Sequence, residues 1–91
     1  MAFYVIATSK AFDKAYAKLK DKDKDITDTV INKLAKDEPL EAKYKDHPLK
    51  GNMSGFRDCH IKSDLVLIYM KDKDLLILTA VRIGSHSELF K

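Results

Sequence analysis

The chain has 91 residues, 45% hydrophobic and 34% charged, with a formal net charge of +3. That size accommodates one domain with a single core, and no apolar run approaches the roughly 18 residues that a membrane-spanning helix needs. The opening segment has no basic stretch ahead of its short apolar run, as a secretory signal would, and the lone Cys59 has no partner for an intramolecular disulfide. A cytoplasmic, reducing environment is therefore expected.

Phe3 to Ala7 is β-branched and aromatic and reads as a short strand. Ser9 is placed to cap a helix whose apolar stripe is Phe12, Ala15, Tyr16 and Leu19, at spacings of three and four. The alternating run Lys20 to Asp25 interrupts that stripe and reads as a solvated turn. A second helix follows, with Ile26, Val30, Ile31 and Leu34 inward, ending before Pro39 because a residue preceding proline is pushed out of helical geometry. Residues 40–55, with Pro48, Gly51 and Gly55, read as a loop.

Three strands are then expected: Phe56 to Ile61, Leu65 to Met70 and Leu75 to Arg82, the last two joined by a tight Lys71 to Asp74 connection. The second and third are apolar at nearly every position, so both of their faces should be covered, one of them by the helices. Ser85 to Phe90 has room for a single helical turn. The order is strand, helical hairpin, three-stranded antiparallel meander: an α+β domain with a small twisted sheet. Strand parity puts Cys59 and Ile61 on one face and Asp58 and His60 on the other. If the apolar pair faces the helices, His60 faces away from them.

The chemistry-bearing residues lie in the second half. His47, His60 and His86 are the three histidines, and Arg82 stands four residues before the last. Histidine exchanges protons near neutrality, with an unperturbed pKa of about 6.5. Lys43 to Lys62 adds five basic residues against two acidic ones. RNA can be cleaved without a metal by its own 2′-hydroxyl. The protein then supplies a base for that hydroxyl, an acid for the departing 5′-oxygen and positive charge for the phosphorane. The histidines suit the proton transfers, Asp64 suits a base or an imidazole-orienting role, and Arg82 or Lys50 suits the phosphate.

Each residue also has a plainer reading. A single histidine in a strand or loop is more often a hydrogen-bonded surface residue, His47 before Pro48 fits a turn, and Asp64 fits a turn cap. Arg82 fits a surface ion pair worth little. The histidine spacings match no zinc signature, so no metal or other cofactor is expected.

The segments KDHPLKG, GFRDCHIKSD, LVLIY and RIGSHSELF, in that order from about Tyr44 to Phe90, resemble the YafQ branch of the RelE/ParE toxin superfamily. The strand–helix–helix start agrees with the same fold. The resemblance implies a toxin of a type II toxin–antitoxin pair: a metal-independent endoribonuclease that cuts mRNA on the translating ribosome and is neutralised by a cognate antitoxin. DNA contact is implied only through the toxin–antitoxin complex. Carried over by motif, His47, His60, Asp64, Arg82 and His86 take the active-site positions, and Phe90 stacks on a base or anchors the terminal turn. Lys50, Arg57 and Phe90 are the implied substrate contacts. The working assignment is His47 or Asp64 as base, His86 as acid, Arg82 on the scissile phosphate, and His60 positioning the phosphate or tuning a neighbour. Relatives often carry tryptophan where this chain has Leu65 and Met53, which removes aromatic stacking worth about 1–3 kcal/mol per base. The competing function is non-enzymatic: the same fold used as a ParE-like module that poisons gyrase.

Overall fold

The computed structural model describes residues 3–90. Its centre is a five-stranded sheet in the order β1-β5-β4-β3-β2. The strands are β1 (Val5–Thr8), β2 (His47–Pro48), β3 (Arg57–Lys62), β4 (Leu65–Asp72) and β5 (Ile77–Gly84). Strands β2 to β5 pair antiparallel, as the meander expectation requires, and β1 joins the far edge parallel to β5. Helices α1 (Lys10–Ala17) and α2 (Asp21–Ala35) cover one face of the sheet. A single turn, α3 (His86–Leu89), follows β5. No helix among the described residues is long and apolar enough to cross a membrane.

The core follows the two periodicities read from the sequence. Phe12, Val30, Ile31 and Leu34 pack against the alternate sheet residues Cys59, Ile61, Leu65, Leu67, Tyr69, Leu78, Ala80 and Ile83. Val66 and Ile68, on the opposite face, are also buried, at 1% and 0% exposure. Both faces of β4 are thus covered, although helices cover only one of them.

Two expectations are corrected. The Lys20 to Asp25 run is not a turn, because α2 begins at Asp21 and contains most of it. Asp21 and Asp23 lie in the first helical turn, where carboxylates favour the helix dipole. Asp23 is buried, with Oδ2 3.0 Å from Nζ of Lys62 on β3. That cross-element pair gives the alternating run a tertiary anchor invisible to local pattern. The segment 40–55 is not wholly loop: it contains β2 and two 3₁₀ turns, Ala42–Tyr44 and Gly51–Met53.

The register of β4 on β5 contains a bulge. Ile68 opposes Arg82 while Tyr69 opposes Ala80, so Val81 is the extra residue. Leu78 and Ala80 face the core, and strict alternation would send Arg82 there too. The bulge resets the parity, so Ile83 enters the core and Arg82 emerges on the open face.

Ser9 anchors this irregularity. Its hydroxyl donates to the Val81 carbonyl, accepts from the Phe12 amide at 3.0 Å as the α1 cap, and its own amide donates to Ala80. Ser9→Ala is therefore expected to destabilise the fold by about 1–2 kcal/mol. In urea unfolding this appears as a lower midpoint at unchanged slope. An unchanged midpoint would show that neither the cap nor the bulge depends on the hydroxyl.

Candidate active site on the open face of the sheet

Directly opposed residues on paired strands share a face. His47 opposes Asp58, Asp58 opposes Ile68, and Ile68 opposes Arg82. One row across four strands therefore carries His47, Asp58 and Arg82 on the face away from α1 and α2. With strands about 4.8 Å apart, the row spans roughly 14 Å at the backbone. In the second row, His60 opposes Val66 and Val66 opposes Gly84. His86 follows two residues later, at the first position of α3. Val66 and Ile68 form an apolar floor between the polar groups, and a floor with so little water strengthens the electrostatics above it.

Asp58 is the buried carboxylate of this face. It is 3% exposed, and Oδ1 lies 2.9 Å from Nε2 of His47. That approach is not an aligned hydrogen bond, and Oδ1 has no hydrogen-bond partner among the described residues. Burial pushes the Asp58 carboxyl above the usual carboxylate range. His47, His60 and His86 all oppose that shift through their charge, and Asp46 reinforces it. The other ring nitrogen of His47, Nδ1, lies 3.2 Å from the Pro48 carbonyl. Sequence parity had placed Asp58 beside His60, yet Asp58 was missed as a site residue because parity alone does not reveal that its carboxylate is buried.

His86 is held by its short helix. Ser85 and Glu88 form a reciprocal capping box: the Ser85 hydroxyl accepts from the Glu88 amide at 3.2 Å, and the Ser85 amide donates to Glu88 Oε1 at 2.8 Å. The Ser-x-x-Glu spacing was legible as a helix start. Gly84 leaves room for this return, since a Cβ there would stand 3.0 Å from Glu88 Oε1. Phe90 tilts against His86, with ring centroids 4.8 Å apart, so it packs on the imidazole as well as ending the turn.

Other expected site residues lie further out. Arg82 is exposed and forms no ion pair with another described residue, so its guanidinium is available to an anion. Lys50 is exposed on the loop after β2. Asp64 is exposed in the β3–β4 turn and lines a groove with Gly84, Ser85 and Glu88, beside the turn that carries His86.

Arg57 departs from the expectation. It opposes Tyr69, a core-facing residue, and so belongs to the helix side of the sheet. Its guanidinium donates to Asp46 at 3.2 and 3.3 Å and to the Tyr69 hydroxyl at 3.3 Å, while that hydroxyl donates to Asp46 at 2.5 Å. Asp46 directly precedes His47, so this knot behind the sheet fixes the strand that presents the histidine. Burial, followed by the Asp46 hydrogen bond, raises the Tyr69 phenol, which stays protonated as a donor. Cys59 is also on the helix side, and burial pushes its thiol up to about 12, which makes it a core residue rather than a nucleophile.

A family model described as a bacterial toxin of type II toxin–antitoxin system, YafQ, matches residues 4–91. The mRNA interferase toxin YafQ of Escherichia coli strain K12 is 49% identical over 53 residues, covering 57% of this chain and 54% of that protein. The chain thus spans about half the length of the curated relative it matches. Among solved structures, a metal-bound toxin from Helicobacter pylori is 45% identical with a TM-score of 0.82, over 97% of this chain and 100% of that one. The YafQ of the E. coli DinJ–YafQ complex is 33% identical with a TM-score of 0.81, over 97% of this chain and 99% of that one. In the present chain, no group of three or more His, Cys, Asp or Glu among the described residues is arranged to hold a metal. The fold, the motif order and the family match agree: this chain belongs to the YafQ family of bacterial toxins of type II toxin–antitoxin systems.

Proposed function

We propose that the chain is an mRNA endoribonuclease that cuts on the translating ribosome by 2′-hydroxyl attack, without a metal. The observation that carries this reading is one sheet face that holds His47 2.9 Å from the buried Asp58 carboxylate, His60 beside it on β3, and Arg82, which pairs with no described residue. In this scheme the His47 ring realigns on substrate so that Nε2–H, 2.9 Å from Asp58 Oδ1, donates to that carboxylate, which leaves Nδ1 as the base. The contact of Nδ1 with the neighbouring Pro48 carbonyl gives way to the substrate 2′-hydroxyl. The 2′-oxygen attacks phosphorus, Arg82 balances charge on the phosphorane, and His86 returns a proton to the departing 5′-oxygen. The products are a 2′,3′-cyclic phosphate and a free 5′-hydroxyl. His60, on the same face, helps position the phosphate. Asp64, on the turn next to α3, orients the His86 imidazole once substrate is bound.

The inferred partners are translated mRNA, the ribosome and a cognate antitoxin, the last supported by the DinJ complex of the E. coli relative. Ribosomal positioning of the message is consistent with the modest net charge of +3, because the toxin then supplies less binding energy itself.

Mapping RNA ends after brief induction tests the reading. Cuts inside translated frames, bearing a 2′,3′-cyclic phosphate on one side and a free 5′-hydroxyl on the other, are expected. Growth arrest without RNA cleavage, surviving replacement of His47 and His86, would sink it in favour of the gyrase-poisoning alternative.

A further inference from the structure

A groove of about 530 Å³ lies between α2, the Ala42–Tyr44 turn and the far end of β3. Lys43, Lys45 and Lys62 line it, His60 stands at its wall, and no acidic side chain lines it. His60 lines the groove and lies two residues from Asp58 on the same strand and face, so the groove adjoins the candidate active site. Lys62 is partly neutralised by Asp23. Lys43 and Lys45 are exposed and form no ion pair with any described residue, and the Lys43 ammonium sits 5.2 Å from the centroid of the Tyr44 ring, at the groove.

Two further features belong to the same place. Strand β2 pairs only with Arg57 and Asp58, so β3 beyond them has no strand partner on this side, where the Ala42–Tyr44 turn packs instead. Lys45 itself has left-handed backbone geometry, φ 49° and ψ 44°, which lysine adopts rarely. A strained residue that carries an unpaired charge beside a reactive site points to function, since glycine or asparagine would meet the turn's geometry at lower cost.

We infer that this groove binds the phosphodiester backbone of the substrate RNA next to the scissile bond, with Lys43 and Lys45 as phosphate contacts. The inference rests on the endoribonuclease reading above. Electropositive grooves track single strands through their phosphates and need no base recognition. Leu65 is buried in the core, so its position offers RNA no stacking surface in this chain.

The test measures anisotropy of a labelled, single-stranded 2′-O-methyl RNA, which this chemistry cannot cut, on the full chain across a salt series. Lys45→Gly removes the charge and suits the left-handed backbone, so folding is retained, as a thermal melt verifies. Lys45→Asn is the second variant, since asparagine also tolerates that geometry. Together with Lys43→Ala, each substitution is expected to weaken binding about fivefold at about 0.1 M salt and to lower the log–log salt slope by about 0.7.

Unchanged affinity and slope with a folded protein overturn the groove assignment, and wild-type cleavage of ribosome-bound message then shows whether the endoribonuclease reading still stands. Unchanged affinity for free RNA with impaired cleavage only on ribosomes also overturns it, assigning the lysines to ribosomal RNA. Weakened capture of an acidic antitoxin segment alone overturns it in favour of a protein-docking role. Increased aggregation as the only effect overturns it too, leaving the lysines as guards of a strand edge without a strand partner.

Discussion

Replacement of His86 by alanine is expected to slow single-turnover cleavage of mRNA on programmed ribosomes by about 10²–10⁴-fold, the usual contribution of one positioned proton donor. The effect should fall on the chemical step. His86 is exposed at the first position of α3, and the Ser85–Glu88 capping box that holds the turn does not use its ring. Thermal stability should therefore change little. His47→Ala should lose a similar factor, and the double variant should lose less than the product of the two, because base and acid act on one reaction path. A full-rate His86→Ala enzyme would remove histidine from the departing 5′-oxygen.

The second large effect concerns Asp58, where activity and stability should move in opposite directions. Asp58→Asn is expected to slow cleavage by about 10²-fold, because an amide cannot hold the His47 proton in the same way. Folding stability at pH 7 should rise instead. Burial raises the Asp58 carboxyl pKa in the folded state above its unfolded value. A raised folded pKa means that the folded state prefers the protonated acid. Its stabilising contribution is complete below about pH 3.9, the ordinary value for aspartate, and is lost as pH rises through the folded pKa. The asparagine variant carries no such pH-dependent loss. The stability difference between the two proteins should therefore be small near pH 4 and should grow towards neutrality, as read from urea midpoints at each pH. A variant whose destabilisation grows as pH rises from 4 to 7 would mean that the ion pair with His47 outweighs the cost of burial. Such a trade of stability for activity is expected where a carboxylate is kept in a dry place for its chemistry.

Much of the architecture was legible along the chain because the signals are local. The three- and four-residue spacing of Phe12, Ala15, Tyr16 and Leu19 marks α1, and Ser9 does cap it. Alternation in β3 correctly separates Cys59 and Ile61 from Asp58 and His60. The motif order also led to the correct family. Where local pattern failed, a distant partner had decided the outcome. Lys20 to Asp25 has no apolar stripe, yet most of it is helical, with Asp23 seated against Lys62 of another element. Arg57 looks like a phosphate ligand in a basic stretch, but it shares the helix-side face of β3 with Cys59 and Ile61, where Asp46 and Tyr69 hold its guanidinium.

The site follows the same division. Residue types and their order specified histidines, an arginine and carboxylates able to move protons and hold an anion. Their convergence belongs to the tertiary structure. His47 reaches Asp58 only because a two-residue strand pairs at that register. Arg82 joins the same row only because the Val81 bulge reverses the parity that Leu78 and Ala80 had established. That bulge is held by the Ser9 hydroxyl from the other end of the chain. Parity is a property of neighbours and can be read from sequence. Register and bulges depend on hydrogen bonds between segments that meet only when the chain has folded.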